Sequence, residues 1–203
     1  MSEILRIGQK LPDLSFEAYD PDKREFVLKD VSEFRKSGKW FVFFFYPADF
    51  TFVCPTELKD LSDKYEEFKR YGVEVVSFSA DTKYVHLAWK DAEPLLEGVK
   101  FLMGADPNGK IAKLLGVYDE ETGLPKRGTF IFNPEGQLVS IEISYDNVGR
   151  NADELLRKIK AHIYLSKHPD EACPAKWSEG DKTLKPSPDI VGRVGDVIRK
   201  GKF

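Results

Sequence analysis

The chain has 203 residues, 41% of them hydrophobic and 13% aromatic, and a formal net charge of −3. That is enough apolar material for one large domain, or one domain with an appended arm. The near-neutral balance argues against a nucleic-acid binder, which would normally carry a basic stripe. Glu3, Arg6, Lys10 and Asp13 interrupt the first sixteen positions, so no signal-peptide core is expected. The longest apolar run, Trp40 to Tyr46, is too short to cross a bilayer. The expectation is a soluble, cytoplasmic protein with no membrane and no nucleic-acid partner.

Trp40 to Tyr46 is a β-prone run of the kind that forms a central strand covered on both faces, and Pro47 ends it. From Glu57 to Tyr71, Leu58, Leu61, Tyr65 and Phe68 recur at steps of three and four, which predicts a helix closed by Gly72. A second buried strand follows over Val73 to Phe78 and stops near Asp81. Helices are expected over Lys83 to Ala92, ended by Pro94, and over Gly109 to Leu115. Thr129 to Phe132 and Gln137 to Ile143 flank the turn Asn133-Pro134-Glu135-Gly136 and predict a hairpin. A last helix starts at Asn151, with Glu154 three residues on, and carries Leu155, Ile159 and Ile163 to about Lys167. After His168 come Pro169, Pro174, Pro186 and Pro188, many charges and few apolar residues. The short basic end, Arg199, Lys200 and Lys202, reads as a solvated tail. This order predicts an α/β, thioredoxin-like fold over residues 1–167, a central mixed sheet flanked by helices, with an extended C-terminal arm over 168–203.

The two cysteines, Cys54 and Cys173, lie too far apart for a C-x-x-C pair or a zinc knuckle. A disulfide in a reducing compartment is usually transient and catalytic. Cys54 falls between the end of a strand and the body of the next helix, the edge of an open α/β sheet where chemistry gathers. Pro55 fits a first helical turn, so Cys54 sits within a turn of a helix N-terminus, where free N–H groups favour thiolate. Ionisation alone achieves little. An ordinary thiol of pKa about 8.5 is roughly 3% ionised at pH 7, so complete ionisation gains at most about thirtyfold. An efficient thiolate nucleophile also needs fixed donors on the atoms that take up charge in its reaction. Thr51, three residues before Cys54, is placed to share a helical turn with the sulfur. Pro47 can shield it from water. A guanidinium would complete the set, and spacing does not say which arginine supplies it.

Pro47-Ala48-Asp49-Phe50-Thr51-Phe52-Val53-Cys54-Pro55-Thr56-Glu57 matches the P-x-x-x-T-x-x-C signature of the peroxiredoxins and its flanks. Glu171-Ala172-Cys173-Pro174-Ala175-Lys176-Trp177 resembles the resolving-cysteine motif of their typical two-cysteine class. Lys126-Arg127-Gly128-Thr129-Phe130-Ile131 and Asn147-Val148-Gly149-Arg150 match as well. The likeness covers nearly the whole chain and is strongest to the bacterial alkyl hydroperoxide reductase C branch, notably over Leu184 to Val194.

The resemblance implies that Cys54 is the peroxidatic cysteine, oxidised by a hydroperoxide to a sulfenic acid. It implies that Thr51 and Arg127 orient peroxide and thiolate, that Pro47 closes the pocket, and that Glu57 and Arg150 support Arg127. Cys173 would be the resolving cysteine, supplied by the partner in a homodimer, and such dimers commonly form decamers. A disulfide reductase or a thioredoxin would return the electrons. The stretch Met103-Gly104-Ala105-Asp106-Pro107 lacks the G-G-L-G insertion of peroxide-sensitive members, and the chain does not end in their Tyr-Phe helix. Resistance to overoxidation is therefore expected.

No cofactor is required, because sulfur carries the electrons, and no Gly-rich phosphate loop follows a strand. His86, His162 and His168 show no metal-ligand spacing and read as solvated or packing residues; none lies in a segment expected to reach Cys54, which leaves a Cys/His hydrolase without its base. A ring-forming, chaperone-like assembly is the alternative that the Pro- and charge-rich arm allows.

Overall fold

In the computed structural model, residues 4–200 are described, the side chains of Arg199 and Lys200 excepted. Glu3 and the end of the basic tail, Lys202 included, lie outside the described residues. The chain divides into two compact units, Met1–Ala152 and Asp153–Phe203.

The first unit is built on one seven-stranded sheet. β1 (Ser15–Asp20) and β2 (Glu25–Asp30) form an antiparallel pair. α1 (Val31–Lys36) follows at once, started by a capping box in which Asp30 accepts from the Ser32 N–H and Glu33 from the Asp30 N–H. Then come β3 (Trp40–Phe45), α2 (Cys54–Arg70), β4 (Val73–Ser79) and α3 (Lys83–Ala92). β5 (Leu102–Ala105), α4 (Lys110–Leu114), β6 (Arg127–Phe132) and β7 (Leu138–Ser144) complete it. The strand order is β2-β1-β5-β4-β3-β6-β7. β3, β4 and β5 are parallel, and the other pairings are antiparallel. This is the expected thioredoxin-like α/β architecture around a mixed sheet.

The phenylalanine run explains why β3 lies inside. All six of its residues are buried, and alternation along a strand sends them to both faces. Phe41, Phe43 and Phe45 join Phe16, Phe78 and Phe132 in one apolar cluster. Phe41 stacks on Phe132 and Phe43 meets Phe78 edge-on, both at 4.8 Å between ring centres. Each such burial contributes roughly 1.5–3 kcal/mol. Val42 and Phe44 face the opposite side; α2, whose Leu58, Leu61 and Phe68 are buried, packs against β4.

Sequence pattern does not single out β1, β2, α1 or β5, and α2 starts three residues earlier than its apolar spacing suggests. The outer pair β1–β2 mixes exposed and buried positions, and β5 has only four residues, so neither presents a clean period.

The second unit begins with α5 (Ala152–Lys167), whose first residue closes the first unit. Its continuation is irregular and tied locally. Ala172 and Leu184 exchange backbone bonds of 2.8 and 2.9 Å. Trp177 donates its indole N–H to the Asp181 carbonyl at 3.1 Å, and Arg157 donates to the Trp177 carbonyl at 2.7 Å. A 3₁₀ turn at Pro188–Ile190 and α6 (Val194–Lys200) stand where the sequence pattern predicts no helix. Among the described residues no helix is long and apolar enough to cross a membrane.

Candidate active site

β3 ends at Phe45, and the chain leaves the sheet through Tyr46 and Pro47 before α2 begins at Cys54 itself. Val53 caps the helix in a helical conformation with no side-chain bond, and its carbonyl accepts the Thr56 and Glu57 N–H groups at 3.1 and 3.2 Å. Pro55 occupies the first turn, where its missing N–H leaves nothing unpaired. The sulfur therefore lies at the positive end of a seventeen-residue helix. Cys54 is wholly buried, and both cysteines are free thiols.

Around this sulfur the fold gathers two arginines and one glutamate from three distant segments. Arg127, first residue of β6, donates from Nη1 to Cys54 Sγ at 3.4 Å and to Glu57 Oε2 at 2.6 Å. Its Nε donates to the Asp146 carbonyl at 2.7 Å, which fixes the plane of the fork. Arg150 holds the other side of Glu57, with its backbone N–H and Nε both 2.9 Å from Oε1 and Nη2 at 3.1 Å from Oε2. Its Nη1 donates to Thr129 Oγ1 at 3.1 Å, and its guanidinium lies 3.4 Å from the centre of the Phe44 ring. Gly149 allows the Arg150 loop this close. A Cβ there would stand 3.3 Å from Val53 Cγ1 and 3.6 Å from Glu57 Cγ.

Burial opposes the Arg127 charge, yet the Cys54 sulfur and Glu57 outweigh it and leave its pKa raised. Burial dominates at Arg150 and lowers its pKa, with Glu57 opposing. The side chains of Arg127, Arg150 and Glu57 are at most 4% exposed. Two cations thus share one carboxylate out of reach of solvent, and a thiolate at Cys54 would bring the set to zero net charge.

Thr51 is placed differently from expectation. It precedes α2, and its hydroxyl donates to the Ala48 carbonyl at 2.9 Å. With its proton committed there, Thr51 Oγ1 is free to accept. Pro47 is half-buried at the exit of β3. Asp146 and Thr129, which hold the two arginines through a carbonyl and a hydroxyl, are contacts of the site that the sequence does not single out. Asp146 acts through its backbone, which leaves no side-chain signature; Thr129 lies inside the quoted motif beside Arg127. His86 is fully buried rather than solvated, and it pairs with Asp49 of the loop between β3 and α2.

Cys173 belongs to the second unit and is half-buried. It borders a cavity of about 270 Å³ together with Arg157, Lys158, His162, Leu165 and Lys176. Burial raises its thiol pKa; Glu171 adds to the rise and Arg157 opposes it. Glu171 is itself held by the Tyr164 hydroxyl at 2.7 Å and by Thr183.

Residues 7–141 match the AhpC/TSA family, and residues 164–196 match the C-terminal domain of 1-Cys peroxiredoxin. Alkyl hydroperoxide reductase C of Amphibacillus xylanus is 46% identical over 188 residues, covering 93% of this chain and 98% of that protein. The protein of the same name from Staphylococcus aureus matches to the same extent. The crystal structure of Enterococcus faecalis AhpC superposes with a TM-score of 0.79 at 44% identity, over 84% of this chain and all of that one. Reduced 2-Cys peroxiredoxin of Plasmodium vivax gives 0.83 at 31%, over 90% and 94%. With Cys54 on a helix N-terminus beneath an arginine fork, on this sheet and at this level of identity, the chain belongs to the AhpC/TSA family of peroxiredoxins.

Proposed function

We propose that this chain is a thiol peroxidase that reduces hydroperoxides through Cys54 and resolves the product through Cys173 of the partner subunit. The observation that carries the reading is the Arg127 fork, 3.4 Å from a fully buried Cys54 sulfur and shared with Glu57. Charge-assisted donors that are fixed before the reaction stabilise an anionic sulfur and the oxygens that gain charge as the O–O bond breaks.

The Cys54 thiolate attacks the terminal peroxide oxygen. The O–O bond breaks, and the leaving oxygen takes a proton to give water or an alcohol. Thr51 Oγ1, already donating to Ala48, accepts the peroxide hydroxyl, and Pro47 limits water at the strand exit. Cys54 is left as a sulfenic acid. The Cys173 thiolate then attacks the sulfenyl sulfur, hydroxide leaves and is protonated to water, and a disulfide joins two chains. A dithiol donor, either a disulfide reductase or a thioredoxin, returns two electrons. Glu57 and Arg150 hold the fork and touch no reacting atom. A homodimer is needed for this pairing, and assembly of dimers into a decameric ring follows the habit of the family.

Non-reducing electrophoresis after one equivalent of hydrogen peroxide tests the reading. The expected result is a band at dimer mass that disappears on replacing either cysteine by serine. A chain that consumes peroxide but stays at monomer mass would overturn the resolving role of Cys173.

A further inference from the structure

Beside the peroxide site lies a second buried polar cluster that the chemistry above does not use. Asp49 stands in the loop between Pro47 and Thr51, and its side chain is fully buried. The Tyr46 hydroxyl donates to Asp49 Oδ1 at 2.7 Å, and His86 Nδ1 lies 2.7 Å from Oδ2. The backbone N–H of Asp49 donates to Asp81 Oδ2 at 2.7 Å, and that oxygen also accepts from the Ser79 hydroxyl at 2.8 Å. His86 Nε2 is 3.0 Å from the Gly104 carbonyl. β5 comes within reach of it at a glycine, because a Cβ at Gly104 would stand 2.4 Å from the Phe78 ring.

This geometry determines the proton count. A carbonyl oxygen only accepts, so Nε2 carries a hydrogen. One further proton lies between Nδ1 and the Asp49 carboxyl, and on either side of that bond the pair has no net charge. Burial pushes the Asp49 carboxyl up, and the His86 hydrogen bond opposes the shift. Every side-chain polar atom of the pair is satisfied, as burial at this depth demands.

The cluster ties one point of the active-site loop to the exit of β3 at Tyr46, to α3, to the end of β4 and to β5 at once. Immediately before that point is the Ala48 carbonyl that takes the Thr51 hydroxyl. Immediately after it is Phe50, held at φ +55°, where a non-glycine residue is strained and persists only if its surroundings fix it. We propose that the Asp49–His86 pair is a positioning device for the peroxide site. It anchors the loop so that the Ala48 carbonyl holds the Thr51 proton and leaves Thr51 Oγ1 aimed as an acceptor for the substrate hydroxyl. Asp49 and His86 are positioning residues that act through Ala48 and Thr51, and the inference rests on the peroxidase reading.

The test separates the reactivity of the sulfur from the placement of the peroxide, using single-turnover oxidation of Cys54 by hydrogen peroxide and alkylation of Cys54 by iodoacetamide. In Asp49→Ala the oxidation rate constant falls by about a hundredfold, the scale of a misplacement of roughly 1 Å, while alkylation stays near the rate of the unaltered chain. Asp49→Asn recovers most of the loss, because its amide donates to Nδ1 and its carbonyl still accepts from Tyr46. Tyr46→Phe removes one bond and shows the same one-sided effect on a smaller scale. Oxidation at the unaltered rate in both Asp49→Ala and Tyr46→Phe would overturn the proposal. So would a fall in alkylation that tracks the fall in oxidation, or an Asn variant as slow as the Ala variant. Failure of the peroxidase reading is distinguishable, since Cys54 of the unaltered chain would then not be oxidised at all.

Discussion

Cys54 and Cys173 carry the same functional group in opposite surroundings. The first is wholly buried at a helix N-terminus and touches a charged set assembled from residues 57, 127 and 150. The second is half-exposed on an irregular segment tied by a β-bridge and a few side-chain bonds. The contrast teaches what each step of the proposed cycle requires. Reaction with a small peroxide needs donors fixed in advance, which calls for a rigid, desolvated site. Reaction with a second sulfur needs reach, and reach comes from segments with few buried contacts.

Replacing a side chain at the buried site should have the largest effects. Cys54→Ser should abolish peroxide consumption, read as peroxide remaining with a dithiol reductant in excess, and retained turnover would show that the buried site is not the reactive one. Arg127→Gln should slow single-turnover oxidation of Cys54 by about a hundred- to a thousandfold, the range for loss of one fixed transition-state donor. Glu57→Ala leaves two buried guanidinium groups without their shared carboxylate. Loss of one partner of a buried pair costs about 3–5 kcal/mol, so denaturant unfolding should register a drop of that order as well as slower oxidation.

Smaller effects sharpen the contrast at the other cysteine. The Cys173 thiol is raised above its ordinary value by burial and Glu171, so less of it is thiolate at neutral pH. The rate of disulfide formation should therefore climb about tenfold per pH unit and level off only above the ordinary thiol range of about 8.5. Stopped-flow measurement of that step against pH checks the sign; a plateau below pH 8 contradicts it. Cys173→Ser, finally, should leave the first oxidation of Cys54 unchanged while stopping disulfide-linked turnover.

The legible part of the molecule is what local pattern encodes. The phenylalanine-rich strand and the helix over Lys83–Ala92 emerge from period and length. The outer strands Ser15–Asp20 and Glu25–Asp30 do not, because Ala18, Tyr19 and Asp20 are buried in succession in the first and no residue of the second is fully buried. At the site, the strand–helix junction points to Cys54 and the resemblance to the peroxiredoxins supplies Arg127, Glu57 and Arg150, and their convergence is visible only in three dimensions. The orientation of Thr51 is illegible in sequence, because it depends on a backbone carbonyl three residues away. The Asp49–His86 contact is equally hidden, since a pair 37 positions apart has no local period and a lone histidine resembles any packing residue.

Mass spectrometry of the Cys173→Ser chain after one equivalent of hydrogen peroxide, with a sulfenic-acid trap present, tests the central claim most directly. A single added oxygen is expected, trapped on the peptide that carries Cys54, with stoichiometry approaching one per chain. An unmodified Cys54 peptide while peroxide disappears would contradict it.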